Sequence, residues 1–177
     1  EVQKKSREIY RLMDLLGILE AHIAIASYRE SLPFYVLPEF LENQGTELEA
    51  EDVYHPMIRE PVANTIQTKK GVLITGSNAS GKSTFLKTIA INGILAQTIH
   101  TCLAHTYRTN FFRVYSSMAL RDDLDSQESY YIVEIKSLKR ILNATNQGGP
   151  ILCFIDEVLR GTNTVERIAA SAQILKS

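Results

Sequence analysis

The chain has 177 residues, 45% of them hydrophobic and 22% charged, with a formal net charge of -1. That composition belongs to a folded chain with core enough for one α/β domain and an appended helical element; it excludes a disordered tail and the global basic field of a stand-alone nucleic-acid binder. No uninterrupted apolar stretch is long enough to cross a bilayer, no secretory signal is visible, and Cys102 and Cys153 give no disulfide framework, so the expected setting is a cytoplasmic protein with reduced core thiols.

Ile9, Leu12, Leu16, Leu19 and Ile23 recur at spacings of three and four, which predicts one helix from about Ser6 to Arg29 whose apolar stripe packs on its neighbours. Pro33 and Pro38 bracket the end of this region. From Glu39 to Asp52 the chain carries Glu39, Glu42, Glu47, Glu49, Glu51 and Asp52 and no lysine or arginine, so a DNA-facing surface there is disfavoured by repulsion. Thr46 to Val53 partly alternates and predicts a strand, with a weaker one over Val62 to Thr68. The Lys69-Lys70-Gly71 turn then leads into the apolar run Val72-Leu73-Ile74-Thr75, a stronger strand candidate. Lys82 to about Thr98 is helix-compatible, with Phe85, Leu86, Ile89, Ile94 and Leu95 available to cover a sheet. Phe111 to Tyr115 suits a strand, and Ile132, Ile135, Leu138, Ile141 and Leu142 stripe another helix that ends near Asn146. Gly148-Gly149-Pro150 reads as a turn into Ile151-Leu152-Cys153-Phe154-Ile155, whose lack of alternation suits a parallel strand buried on both faces. A last helix is predicted from Thr164 to Lys176. The division that follows is a helical segment over 1–45 and an α/β domain over 46–177.

The stretch Gly76-Ser77-Asn78-Ala79-Ser80-Gly81-Lys82-Ser83-Thr84 follows an apolar run and opens a helix, the context of a phosphate-binding loop. Glycine at 76 and 81 lets the backbone curl closely round a polyphosphate. Loop N–H groups and the helix N-terminus favour negative charge, Lys82 reaches the β- and γ-phosphates, and the Ser83 hydroxyl is a Mg²⁺ ligand. The run at 151–155 ends in Asp156-Glu157, and carboxylates in such sheets act just past the strand's C-terminal end. Asp156 then holds Mg²⁺, directly or through water, and Glu157 orients or deprotonates the water that attacks the γ-phosphate. The two motifs need each other, and together they predict a P-loop nucleotide site that uses Mg²⁺; the resemblance described next implies ATP as the nucleotide.

These motifs, with Asp156-Glu-Val-Leu-Arg-Gly-Thr-Asn-Thr164, the Gln97-bearing helix and the run Asp122 to Ile135, resemble the ATPase domain of the MutS family of DNA mismatch-repair proteins. His55-Pro56 and Asn64 resemble landmarks ahead of that family's phosphate loop. The likeness covers about residues 46 to 177, and residues 1–45 resemble the end of the helical core and lever that precede the ATPase. The resemblance implies a P-loop fold of the ABC-ATPase type, a homodimer of the full-length protein, and ATP hydrolysis coupled to DNA held by regions mostly outside this chain, with no membrane partner. Each site would join one subunit's phosphate loop and Asp156-Glu157 to the other's signature segment, with Ser129 pointing at the γ-phosphate in trans. Gln97 would sense Mg²⁺ and the attacking water. The resemblance also implies that the chain is truncated, since the family continues into a strand with a switch histidine.

Some residues depart from the family pattern. Gln127 stands where the signature glycine would lie, Glu128 and Tyr130-Tyr131 flank Ser129, Leu159 replaces a glycine, and Ser77 and Ala79-Ser80 alter the loop, all of which suggests a divergent paralogue. Two other functions use the same residues. One is a nucleotide-gated dimerisation or scaffold module with little turnover, to which Gln127 and Glu128 point; the other is the ATPase head of another ABC-class machine such as an SMC-like protein. Arg108, Arg113, Arg121, Lys136, Lys139 and Arg140 are scattered among acids, and helix solvation accounts for them without a ligand.

Overall fold

The computed structural model describes residues 5–43, 45–118, 130–156 and 158. In chain order the elements are helix α1 (Ser6–Glu30), strands β1 (Glu39–Phe40), β2 (Leu48–Val53) and β3 (Asn64–Thr68), helix α2 (Lys82–Ile99), strands β4 (Thr106–Thr109) and β5 (Arg113–Ser117), helix α3 (Tyr130–Asn146) and strand β6 (Ile151–Ile155). They form a mixed α/β architecture with a four-stranded sheet in the order β1-β4-β2-β3 and a two-stranded sheet of β5 and β6. β2 is antiparallel to both β3 and β4, whereas β1 with β4 and β5 with β6 are parallel pairs.

Period-two alternation sets the inner face of the first sheet. In β4, Tyr107 and Thr109 are buried between exposed Thr106 and Arg108. In β2, Leu48 and Ala50 point inward, and uninterrupted alternation would send Asp52 after them. Instead the register with β3 shifts between Ala50 and Val53, and Asp52 takes a positive φ of 53°. This bulge turns Val53 into the core and Asp52 outward, where its carboxylate lies 3.1 Å from His105 Nδ1.

α2 lies on this face and joins the two sheets. Ile89, Ala90 and Ala96 pack with Leu48, Ala50, Val53, Cys102, Ala104, Tyr107 and Phe154 in one core. Asn92 is fully buried within it and fully used: its Nδ2 donates to Tyr54 O (3.1 Å) and Thr88 O (3.0 Å), while its Oδ1 accepts the Leu103 amide at 2.7 Å. A buried amide so satisfied fixes α2 against the chain after it. Arg29, near the end of α1, donates to Thr101 Oγ1 (2.8 Å), two residues before Leu103, and also to Ile99 O (3.1 Å) and His100 O (3.0 Å). A guanidinium on the last carbonyls of α2 satisfies groups that a helix end leaves open.

Four expectations need correction. α1 forms over the expected residues, but it contains no buried residue, and Ile9, Leu12, Leu16, Leu19 and Ile23 all face solvent, because no described element covers the stripe. Val72–Thr75 is not in a strand: Val72 and Leu73 are exposed, and Val72 and Ile74 line an apolar cavity of about 270 Å³ with Phe85, Ile89 and Phe154 in place of a ladder. β6 is a parallel strand, yet it pairs with β5 alone among the described residues, so it is an edge; Phe154 is buried while Cys153 is exposed and is not a core thiol. In α2, Ile94 is exposed and does not cover the sheet. The last expected helix, 164–176, lies outside the described residues. No helix among the described residues is long and apolar enough to cross a membrane.

Candidate functional site

Residues 76–81 form an exposed turn that enters α2 through Gly81, whose φ of +89° makes it a left-handed N-cap. Nothing stands within 4 Å of the place a Cβ would occupy there, so backbone conformation, not space, requires glycine. At Gly76 the constraint is weaker and of the opposite kind, contact with a rotatable side chain. Its φ is ordinary, but a Cβ would meet the Ser80 hydroxyl at 2.9 Å. Ala79 holds a positive φ of 61° without being glycine, which stores strain in the turn.

The start of α2 is built against helix stability and for an anion. No side chain caps Gly81, and the first turn carries no acidic residue. Its open N–H groups and partial positive charge are left without a side-chain acceptor. The first helical residue is the cation Lys82, the least favourable sign at that end of a helix dipole. Its Nζ donates to Gly76 O at 2.8 Å and Ser77 O at 2.6 Å, folding the ammonium over the loop. One of the three ammonium donors remains beyond those two bonds. A phosphate satisfies every one of these groups at once.

The next residue links the two motifs. Ser83 Oγ donates to Asp156 Oδ2 at 2.5 Å, and Asp156 is fixed at the end of β6 by its own amide, which donates to Ser117 O at 3.1 Å. A hydroxyl and a carboxylate in contact are hard oxygen donors, the kind of partial set that suits Mg²⁺, an ion that keeps waters and draws its other ligands from phosphates. Among the described residues no group of three His, Cys, Asp or Glu side chains forms a protein-only cage. Ser77, Asn78, Ala79 and Ser80 make up the exposed turn itself, and Thr84 supplies its carbonyl to the Thr88 hydroxyl at 2.8 Å.

Gln97 is not brought to this site. It lies on the same helix as Lys82 but about 22 Å further along at the rise of an α-helix. Both ends of its amide are engaged there: Oε1 accepts the Phe112 amide at 2.7 Å and Nε2 donates to Gly93 O at 3.2 Å. Its observed place is a tie between α2 and the approach to β5. Glu157 and Ser129 lie outside the described residues, as do Gln127, Glu128 and Leu159. The sequence reading passed over Asn92 and Arg29; the signal for Asn92 was one polar residue between apolar neighbours on the core face of a helix.

Comparison with known proteins matches residues 72–177 to a family model described as MutS domain V. The chain is similar to MutS protein homolog 4 of Mus musculus, at 34% identity over 97% of this chain and 18% of that protein, and to MutS protein homolog 4 of Homo sapiens, at 33% over 95% and 18%. It is also similar to DNA mismatch repair protein MutS of Thermotoga maritima, at 29% identity over 99% of this chain and 23% of that protein. The chain thus spans about a fifth of the length of the curated relatives it matches.

Proposed function

The chain belongs to the MutS family through its domain V, and from that premise we propose that it is the P-loop ATPase portion of a DNA mismatch-repair-related protein. The α/β part, which takes in β1 beside β4, constitutes an ABC-type ATPase domain, and helix α1 belongs to a helical lever. The observation that carries this reading is the Ser83–Asp156 contact at the uncapped, cation-bearing start of α2, because it unites two motifs that a structural loop has no reason to join.

In this reading the N–H groups of Ser77 to Thr84 and the Lys82 ammonium bind the β- and γ-phosphates of ATP, and Lys82 exchanges its loop carbonyls for phosphate oxygens. Ser83 and Asp156 hold Mg²⁺, which when bound neutralises phosphate charge. Glu157, next in the chain, accepts the proton of the attacking water. Ser129 of a second copy faces the γ-phosphate, so the working unit is a homodimer. Gln97 has no part at the phosphates, since its placement ties it elsewhere. DNA is held mainly by parts of the protein beyond this chain, coupled by linkage to which nucleotide is bound.

The test is turnover by the complete protein against its Glu157→Gln variant, with and without duplex and branched DNA. Mg²⁺-dependent hydrolysis that collapses in the variant while ATP binding persists supports the ATPase. Tight ATP binding and dimerisation without turnover in the wild type would replace it with a nucleotide-gated scaffold.

A further inference from the structure

The cations of α3 that are scattered in the sequence converge in space. Lys136, Lys139 and Arg140 line an open groove of about 330 Å³ with Tyr115 of β5 and the carboxamides of Asn143 and Gln147. Among the described residues no acid lines it, and the single acid of α3, Glu134, is buried. The groove therefore presents cations, amide donors and one aromatic ring in a chain whose formal net charge is -1.

Solvation of a helix face does not account for this arrangement. Arg140 is pinned: its Nη2 donates to Ser116 O at 3.1 Å and its Cζ lies 6.0 Å from the centroid of the Tyr115 ring. Ordering a long charged side chain costs conformational entropy that a merely solvating residue keeps. Gln147 is held as well, its Oε1 accepting from Arg113 Nη1 at 3.1 Å, which leaves Nε2 as the donor group of that amide. The helix dipole is no explanation either, because the last turn of α3 contains no basic residue and the effect fades within a turn.

We propose that this groove binds the phosphodiester backbone of DNA without regard to sequence. From Lys136 to Gln147 the donors extend about 16 Å along the helix. A duplex strand offers a phosphate about every 3.4 Å of its axis, so the row meets about four or five of them. Three cations and two carboxamides follow one another along the lining, which suits a regular polyanion better than an isolated anion. The choice of DNA among polyanions rests on the DNA-associated reading above.

The experiment measures binding of a fluorescent duplex to the complete protein over a range of salt concentrations, with fluorescent ATP binding recorded on the same samples. Lys136→Gln/Lys139→Gln is expected to weaken duplex binding about tenfold and to lower the slope of log K against log salt by about 2, while Lys69→Gln/Lys70→Gln changes neither. Acetylation footprinting of the wild type supplies a readout that needs no variant: the duplex should protect Lys136 and Lys139. The proposal is overturned by an unchanged slope, by equal losses in both variants, by a wild type that binds no duplex, or by protection from polyglutamate but not from duplex. Loss of ATP binding in the wild type with duplex binding intact would instead overturn the phosphate-loop reading and leave the groove standing.

Discussion

The hydroxyl of Ser83 donates to Oδ2 of Asp156 across 2.5 Å, joining the first turn of α2 to the residue that follows β6. The two residues meet because β6 runs parallel to β5 and ends where α2 begins its course over the core. Each keeps oxygen lone pairs beyond that bond, so a divalent ion is able to insert between them.

Asp156→Asn and Ser83→Ala should each weaken Mg²⁺-ATP binding at least about tenfold, or about 1.4 kcal/mol, while ATP binding in excess chelator changes less than about threefold. Calorimetry with and without Mg²⁺ checks this. Equal losses under both conditions would remove the metal role from the pair.

The turn should respond to backbone changes in opposite senses. Gly81→Ala places an L-residue at a φ of +89° and should cost about 1–2 kcal/mol, although no neighbouring atom is approached. Ala79→Gly relieves a φ of 61°, and after glycine's greater loss of entropy it should leave stability unchanged or raise it by less than about 1 kcal/mol. Thermal melting of both variants decides, and a lower melting temperature for Ala79→Gly than for Gly81→Ala would contradict the geometry.

Gln97→Leu should act on the fold and not on the nucleotide. Removing Oε1 leaves the Phe112 amide without its acceptor, at a cost of about 1–3 kcal/mol. ATP affinity should stay within about twofold of wild type. A variant of normal stability that has lost its Mg²⁺-ATP response would return Gln97 to the sensing role its family resemblance implies.

The two thiols should differ sharply. Cys102 is fully buried and desolvation pushes its thiol up to about 12, whereas Cys153 is exposed although desolvation also raises its thiol. At pH 8 Cys102 should therefore resist alkylation and Cys153 should react, more slowly than a free thiol. The sign of the linkage follows. A thiol held protonated in the fold contributes stability that is complete below the ordinary value of 9.0 and is lost as pH rises towards 12. The loss is at most about 1.4 kcal/mol per pH unit per group. Tyr107, also pushed up by burial, adds to the loss at the upper end of this range. Mass spectrometry after alkylation and urea midpoints from pH 8 to 11 test the pair of statements.

How much was legible in the chain divides along physical lines. α1, α2, α3 and β2 were readable within a few residues because local periodicity sets them, and β6 because a continuous apolar run follows a Gly-Gly-Pro turn. The turn over 76–81 was readable because few residue types tolerate its backbone. What was not legible depended on partners. Whether Val72–Thr75 forms a ladder is decided by a neighbouring strand, and whether Cys153 is buried is decided by what lies on the free edge of β6. The stripe of α1 announced a helix but not what covers it. Gln97 had the residue type and the order expected of a sensor, and only the rise of α2 carries it away from Lys82. The bulge at Asp52 was hidden for a different reason, since alternation alone would have turned its carboxylate inward.

α2 is an unbroken rod of 18 residues, about 27 Å from end to end, with the 76–81 turn joined to its first turn and Arg29 clasping its last carbonyls. Its middle is locked to the core by Asn92, so the rod has a fulcrum as well as two handles. A tilt of a degree about that fulcrum moves both ends by only about 0.2 Å at this length. α1 has 25 residues, nearly all of them ahead of the clasp at Arg29, and no buried side chain, so a tilt passed through the clasp would be magnified towards Ser6. A small rotation imposed on one turn of α2 would then be returned as a larger sweep at the start of α1.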